Sequence, residues 1–178
     1  MSKMSVRSRI LTGAVLCASL LLIGCGSLVS IYDATFDQSL NKFSEDTAKF
    51  VAAASAGSSE RSYASKEAVA YYASAYNLLD RLSDRARLSR GLVACPTNAT
   101  LKDFSETGPI KVALPDEYLK FDCREYQLAA IRIYVAQLEY AHKNDGILNR
   151  SEAKAAGGIL QTSILGSIQT FIANKPAT

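Results

Sequence analysis

Apolar side chains recur every three or four positions in four segments of this chain, and this recurrence is the strongest constraint on its fold. Such spacing places the side chains on one face of an α-helix. The predicted helices run from residue 30 to a break at 56–59, from 59–65 to about 90, from about 122 to 143, and from 149 to about 174. The sequence therefore predicts an all-α fold, an up-and-down four-helix bundle over residues 30–178.

Residues near the predicted helix starts match capping sequences. Ser30 can cap the first helix, with the acid Asp33 three residues later. Asn149 can cap the fourth helix, with Glu152 in the same relation. Both pairs are typical of a capping box, in which the two side chains bond to each other's backbone N–H groups.

The apolar faces follow from the spacing. The predicted face of the first helix consists of Leu28, Tyr32, Phe36, Leu40, Phe43, Thr47, Phe50 and Ala54. That of the second helix consists of Val69, Tyr72, Tyr76, Leu79, Leu82 and Ala86. That of the fourth helix consists of Ile159, Leu160, Ile164, Leu165, Ile168, Phe171 and Ile172. In the fourth helix Gly158, Thr162 and Gly166 predict a thin ridge where another helix approaches closely.

The third predicted helix is apolar around most of its circumference. Its polar residues fall on one narrow face made of Glu125, Arg132, Glu139 and Lys143. A helix of this kind must be covered on several sides. It is therefore predicted to lie at the centre of the bundle or to contribute to an interface.

The first 24 residues have the layout of an export signal. Three basic side chains within residues 1–9 precede an apolar run of about 14 residues, which is shorter than the roughly 20 needed to cross a bilayer. Leu22-Ile23-Gly24-Cys25 then resembles the lipobox of bacterial lipoproteins. An ordinary cleaved signal with a chance cysteine is the alternative.

The lipobox resemblance implies an address for the protein. It implies that residues 1–24 are a lipoprotein signal peptide, that Cys25 carries diacylglycerol, and that residues 25–29 are a lipidated tether. Acyl chains hold such a protein to a membrane by apolar burial. Gly26, in place of the Asp that favours the inner membrane in such lipoproteins, implies the outer membrane, facing the periplasm.

Two cysteines remain after the signal and Cys25 are set aside. Cys95 and Cys123 are predicted to form a disulfide, because an exported chain with two thiols most often pairs them. A metal or redox pair is the alternative, but neither cysteine has CxxC spacing. No His lies near either of them in sequence.

Residues 91–121 show no sustained period and contain three prolines. The predicted disulfide would pin this long loop between the second and third helices, and long loops of this kind are often functional. We predict a partner-binding surface here, with the contact residues Lys102, Phe104, Ile110, Val112 and Leu114. The alternative is that this segment is only a long connection between two antiparallel helices, which the disulfide stabilises.

The charge balance disfavours nucleic acid as a partner. The chain has 20 basic and 17 acidic residues, and three of the basic residues precede Cys25. Residues 25–178 are therefore neutral, and a neutral protein has no overall field to attract nucleic acid. Arg81, Arg85, Arg87 and Arg90 form either an anionic-lipid patch or, more simply, cations that complement a helix C-terminus.

No catalytic or cofactor pattern stands out, so the chain is predicted not to be an enzyme and to hold no cofactor. His142 is the only histidine and lacks a nucleophile motif; it is interpreted as a capping or surface residue. The segment from Asp145 to Glu152 resembles half of an EF-hand loop. Lys143 stands where that loop needs an oxygen ligand, which disfavours calcium, and no metal site is predicted. Gly146 is predicted to adopt a left-handed cap there.

The function predicted from these features is that of a membrane-anchored, non-enzymatic envelope lipoprotein, an accessory or adaptor that binds another envelope protein. In outline this resembles the small helical pilotin lipoproteins, which escort secretin subunits to the outer membrane, although no motif is shared. The alternative is a helical bundle that binds a small molecule or lipid between its tyrosine-bearing helices.

Overall fold

The computed structural model describes residues 33–88, 100–107 and 110–172. These residues form five α-helices: α1 (Ala34–Ala56), α2 (Lys66–Leu88), α3 (Thr100–Thr107), α4 (Cys123–Asp145) and α5 (Arg150–Ile172). Ser59–Arg61 and Tyr118–Lys120 are short 3-10 helices. The described ranges contain no β-strand, only an isolated bridge between Ser62 and Ile147, so the all-α prediction is confirmed.

Helix α1 shows the predicted face but a different start. Asp33, rather than Ser30, is its N-cap, and the Asp33 carboxylate accepts the Thr35 N–H at 2.9 Å. Gly57, with a φ of 87°, ends the helix in the left-handed conformation that glycine adopts without strain. Of the predicted stripe, Leu28 and Tyr32 lie outside the described residues, and the rest is buried: Phe36, Leu40, Phe43, Thr47, Phe50 and Ala54.

Helices α4 and α5 begin with capping boxes. In α4 the Asp122 and Glu125 side chains each accept the other residue's backbone N–H. In α5 the same exchange joins Asn149 and Glu152, at 3.0 and 3.3 Å, which confirms the predicted cap. Gly146 follows α4 with a φ of 70°, as predicted. These caps satisfy N–H groups that a helix start otherwise leaves unpaired.

The four long helices pack against one another around the main core. Helix α1 packs against α2 and α5, and α4 packs against α2, α3 and α5. No residue from Phe121 to Glu139 is exposed, which agrees with the predicted central position of this helix. Glu125, a member of the predicted polar face, is buried as part of the capping box.

The predicted faces of α2 and α5 are partly wrong. Val69 is 54% exposed, and Ala68 and Ala75 are buried instead. The buried residues of α2 then alternate strictly between four and three positions, which keeps them on one side of the helix. In α5, Ile159 and Leu165 are 55% and 49% exposed, while Leu160, Ile164 and Ile168 are buried. Small residues complete these faces, and hydrophobicity alone does not identify them.

Helix α5 approaches α1 through Gly157. A Cβ atom on Gly157 would lie 2.6 Å from Cγ2 of Val51 in α1, whereas one on Gly158 would meet nothing within 4 Å. The predicted ridge of Gly158, Thr162 and Gly166 is exposed in the structure. The prediction of close packing on this helix was therefore wrong by one residue, which is a rotation of about 100° around a helix axis.

The two adjacent glycines provide a matched test of this packing. Gly157→Ala is expected to lower the free energy of unfolding by about 1–3 kcal/mol, because its methyl group overpacks against Val51. Gly158→Ala is expected to raise the free energy of unfolding by about 0.5–1 kcal/mol through helix propensity alone. Urea unfolding of both variants measures the difference, and Val51→Ala should remove the Gly157→Ala penalty. Effects of the same sign at both positions would contradict the α1–α5 contact.

The segment between α2 and α4 contains more structure than its sequence predicts. Residues 91–121 were expected to lack helix, but α3 occupies Thr100–Thr107 and a 3-10 turn occupies Tyr118–Lys120. Helix α3 has only two turns, too few to show a period in a window of 11–18 residues. Leu101 of α3 anchors a small second cluster of buried side chains with Phe121, Ala130 and Ile133.

Across the parts of the chain that the structure describes, no helix combines the length and the apolar character required of a bilayer span.

Candidate functional site: an extended segment beside a cleft

Residues 111–115 lie between α3 and the 3-10 turn, and their pattern of exposure indicates an extended conformation. They belong to no helix or turn, and their side chains alternate between exposed and half-buried. This alternation is typical of a strand, in which successive side chains point to opposite faces. Pro115 also favours an extended conformation at Leu114, the residue that precedes it.

The inward side chains of the segment are anchored. Val112 and Leu114 pack against the second cluster, which α3 and α4 build together. The Val112 N–H donates to the Ser105 carbonyl oxygen of α3 at 3.0 Å. These contacts attach the segment to the helices on one side and leave its other side uncovered by α3.

The backbone groups of Lys111 and Ala113 have no hydrogen-bond partner within the described residues. In an extended chain the N–H and C=O of one residue point to the same side, and those of the next residue point to the opposite side. Because Val112 bonds to α3, the polar groups of Lys111 and Ala113 point away from α3. These four backbone groups are unpaired on one side of the segment, as they would be at the open edge of a strand, and we refer to this side as the open edge.

A cleft of about 260 Å³ adjoins this segment. Its walls come from α2, α4 and residues 112–115, and the residues that line it are Asp80, Ser83, Arg87, Val112, Ala113, Leu114, Pro115, Phe121, Glu125, Ala129, Arg132 and Ile133. A second, more open hollow of about 450 Å³ lies on the α3 side of the segment, where Lys102, Ser105 and Glu106 contribute to its wall. The segment therefore separates two concave surfaces.

Charges around the cleft are paired with one another. Arg132 forms an ion pair with Asp80 and lies over the Tyr76 ring, 5.1 Å from its centroid. Arg87 lies 3.7 Å from carboxylate oxygens of both Asp84 and Glu117. A cleft whose cations already face carboxylates has little excess charge with which to select an anion.

Arg85 and Arg87, near the end of α2, pair with carboxylates of the same protein. The Arg85 guanidinium donates to Asp33 at the start of α1, with one contact of 3.1 Å. Partial burial alone would raise the pKa of Asp33, but hydrogen bonds from Arg85 and the Thr35 backbone lower it below its usual value. Arg81 lines a separate hollow, and Arg90 lies outside the described residues. These pairs favour the structural interpretation of the arginine cluster over the lipid patch.

The predicted contact residues lie in one region of the fold. Lys102 is exposed on α3, and Ile110, Val112 and Leu114 are half-buried; the side chain of Phe104 is outside the described residues. Sequence reasoning missed Ala113 and the wall that α2 contributes. The Ile110-Lys111-Val112 run was a signal for extended structure, but which of its backbone groups are unpaired depends on how α3 packs.

Of the three cysteines with a predicted role, the structure describes only Cys123. Cys123 is half-buried at the first turn of α4. Cys25 and Cys95 lie outside the described residues. Lipidation of Cys25 and the Cys95–Cys123 disulfide therefore stay predictions.

His142 is buried in an aromatic cluster, so its interpretation as a capping or surface residue was wrong. Its Nε2 donates to the Arg61 carbonyl oxygen at 2.9 Å, because a carbonyl can only accept. Its Nδ1 therefore accepts from the Tyr72 hydroxyl at 3.1 Å. The rings of Phe50, Tyr63 and Tyr72 surround the imidazole, whose two nitrogens are thus both satisfied in the neutral form.

Tyr71 and Tyr76 also belong to this aromatic cluster. The Tyr63 and Tyr76 hydroxyls donate to the two carboxylate oxygens of Glu139 at 3.0 and 2.7 Å. Tyr71 stacks on Phe50 and shares a hydrogen bond with Thr47, and burial raises the pKa of Tyr71 to about 12. The hydroxyls of Tyr63, Tyr71, Tyr72 and Tyr76 all bond to other groups of the protein. This network holds α1, α2 and α4 together.

Neutral His142 gives a pH dependence with a defined sign. Burial lowers its pKa below the ordinary value of 6.5, partly opposed by the Arg61 hydrogen bond. The unfolded chain therefore takes up a proton first as the pH falls. The stabilisation is complete above about pH 6.5 and declines as the pH falls towards the lower folded-state pKa. Urea midpoints measured from pH 7.5 to pH 5 should fall more steeply for the native sequence than for His142→Gln. Parallel curves would contradict the buried neutral imidazole.

No group of three or more His, Cys, Asp or Glu side chains placed to hold a metal ion occurs in residues 33–88, 100–107 and 110–172. Comparison with protein-family models, with curated proteins and with solved structures finds no match to this chain. The candidate site therefore rests on its own geometry: an anchored extended segment, its open edge and the adjoining cleft.

Proposed function

We propose that this protein is a lipid-anchored, non-enzymatic envelope lipoprotein that acts as an accessory or adaptor and binds another envelope protein. The observation that carries the proposal is the open edge at Lys111 and Ala113 beside the cleft between α2 and α4. An exposed strand edge is suited to bind another chain. The resemblance to pilotin lipoproteins remains one of outline.

The anchor belongs to the same proposal. Asp33 caps α1 only eight positions after Cys25. Even a fully extended tether of that length reaches roughly 30 Å, at about 3.3–3.6 Å per residue. Lipid on Cys25 would therefore keep the helices close to the membrane, where a partner in the outer membrane lies within reach.

The helices themselves are proposed to form an up-and-down four-helix bundle with a stapled crossover. Each of α1, α2, α4 and α5 contacts the next one in chain order, and α5 contacts α1, which would close the set. A Cys95–Cys123 disulfide would enclose 27 residues, and the chain-entropy model gives a stabilisation of roughly 3.5 kcal/mol for such a loop. It would also tie the region before α3 to the start of α4.

A small-molecule or lipid ligand is the alternative. The cleft does lie between α2 and α4, but its volume of about 260 Å³ is below the roughly 300–1,000 Å³ typical of small-molecule pockets. Tyr72 is part of the core and Tyr71 packs against it, so these two tyrosines of α2 do not line a ligand site. These facts support the adaptor over the ligand-binding alternative.

Metabolic labelling tests the anchor. Cells that express the native chain with a labelled fatty acid should yield a labelled protein whose first residue is Cys25, in the outer-membrane fraction. Cys25→Ser should abolish both the label and the cleavage before residue 25. An unlabelled protein, or one that begins at another residue, would contradict the lipoprotein proposal.

Co-purification from detergent-solubilised native membranes tests the adaptor. Two matched variants place the same bulky cation on different faces: Ala113→Arg at the open edge, and Ala155→Arg on the exposed side of α5. We expect one discrete, stoichiometric envelope protein to accompany the native chain and Ala155→Arg, and to be lost with Ala113→Arg. Loss with Ala155→Arg alone would move the interface to α5, and the absence of any stoichiometric protein would contradict the adaptor.

A further inference from the structure

We infer that the partner contributes an extended peptide segment, which pairs as a β-strand with the backbone of Lys111 and Ala113. The inference rests on the proposed adaptor function and adds the chemistry of recognition to it. Main-chain hydrogen bonds would supply affinity, and alternate side chains of the added strand would supply specificity.

The first support is the side of the segment that is left open. Val112 directs its N–H to Ser105 of α3, so α3 already covers the segment on that side. Lys111 and Ala113 direct two N–H donors and two C=O acceptors to the other side. An added strand would satisfy all four groups, whereas a packed helix has no free backbone groups along its length to offer them.

The second support is the rigidity of the edge. Val112 and Leu114 are held in the cluster with Leu101, Phe121 and Ile133, so the segment does not have to be ordered when a partner binds. Ordering a flexible loop costs free energy at the moment of association, and a preformed edge avoids that cost. The outward residues Lys111, Ala113 and Pro115 are exposed and lie on the face away from this cluster.

The third support is the size and charge of the cleft. A volume of about 260 Å³ suits one or two side chains of an added strand better than a whole ligand. Its wall includes Ala129, Ile133 and Ser83, which are small or apolar. The arginines at its margin are already paired with carboxylates. The segment that fits is therefore uncharged and apolar at the position that enters the cleft.

A peptide probe tests the inference directly. Random ten-residue peptides displayed in a library are selected on the full lipidated chain in detergent micelles, and synthetic versions are then scanned with single backbone N-methyl groups. Strand pairing predicts that N-methylation weakens binding by about tenfold or more at alternate positions only, since each blocks one interfacial hydrogen bond. Tolerance at every position, or a period of three to four, would overturn the inference.

Two matched variants at Ala113 test the hydrogen bond that its backbone N–H is proposed to donate to the peptide. Ala113→Pro removes one N–H, whereas Ala113→Ser keeps it with a similar volume. The selected peptides should bind Ala113→Pro about tenfold more weakly and Ala113→Ser within about twofold. Equal binding to both variants, or the absence of any enriched peptide, would overturn the inference. If Ala113→Pro does not fold, the N-methyl scan decides the question, because it leaves the protein unchanged.

Failure of this inference differs from failure of the adaptor. A membrane partner that co-purifies with Ala113→Pro as well as with Ala113→Ser preserves the adaptor and removes strand pairing. A native chain that retains no membrane partner removes both.

Discussion

Replacement of Asp122 by Ala is expected to lower the free energy of unfolding by about 3–5 kcal/mol. The Asp122 carboxylate accepts the backbone N–H groups of Arg124 and Glu125 at the start of α4. It also lies 2.9 Å from Nη2 of Arg124, and the two side chains are only 2% and 3% exposed. The substitution therefore removes a helix cap and takes the carboxylate away from a buried guanidinium.

Two further variants separate these contributions. Asp122→Asn keeps an acceptor oxygen for the cap but removes the charge, so we expect a loss between zero and that of Asp122→Ala. Asp46→Ala breaks the exposed pair with Lys42 and should have a much smaller effect, because solvent screens such pairs. Urea unfolding followed by circular dichroism measures all three. A loss for Asp122→Ala no larger than that for Asp46→Ala would contradict the buried position of the pair.

Leu160→Ala is the second substitution with a large expected effect, a loss of about 2–5 kcal/mol in the free energy of unfolding. Leu160 is fully buried in the main core, on the side of α5 that carries Ile164 and Ile168. Removal of its branched side chain would leave a cavity that the rigid neighbouring helices can close only in part.

Leu165 gives the matched control on the same helix. It is 49% exposed, so Leu165→Ala should cost about 1 kcal/mol or less, although the change in sequence is identical. Thermal or urea unfolding of the two variants compares them directly. A larger loss at Leu165 than at Leu160 would mean that α5 presents the opposite face to the core.

The helices with long, regular stripes could be predicted from sequence, and those with short or Ala-rich stripes could not. The six described residues of the α1 stripe were all predicted, because Phe and Leu dominate it. The Asn149–Glu152 capping box was predicted because its residue types and spacing are local. On α2 the choice between Val69 and Ala68 depends on which neighbouring helix comes close, and that information is not local.

His142 and α3 show the same limit at the candidate site. A single histidine in a polar stretch gives no sign that Arg61 and Tyr72, 81 and 70 residues away, will satisfy both ring nitrogens. Likewise, the sequence indicated an extended piece near Val112, but the open edge at Ala113 depends on the bond from Val112 to Ser105. Long-range packing decides these features, so sequence patterns pointed to the region and not to its geometry.

Photo-cross-linking in the native membrane shows whether the protein binds an envelope partner through the open edge. A photoreactive amino acid is placed at position 113 on the open edge and, as the control, at position 155 on the exposed side of α5. We expect one discrete adduct from position 113, joined to an extended segment of an outer-membrane or periplasmic protein, and no adduct with that protein from position 155. Adducts with lipid alone, or the same protein captured equally from both positions, would contradict an adaptor that binds through this edge.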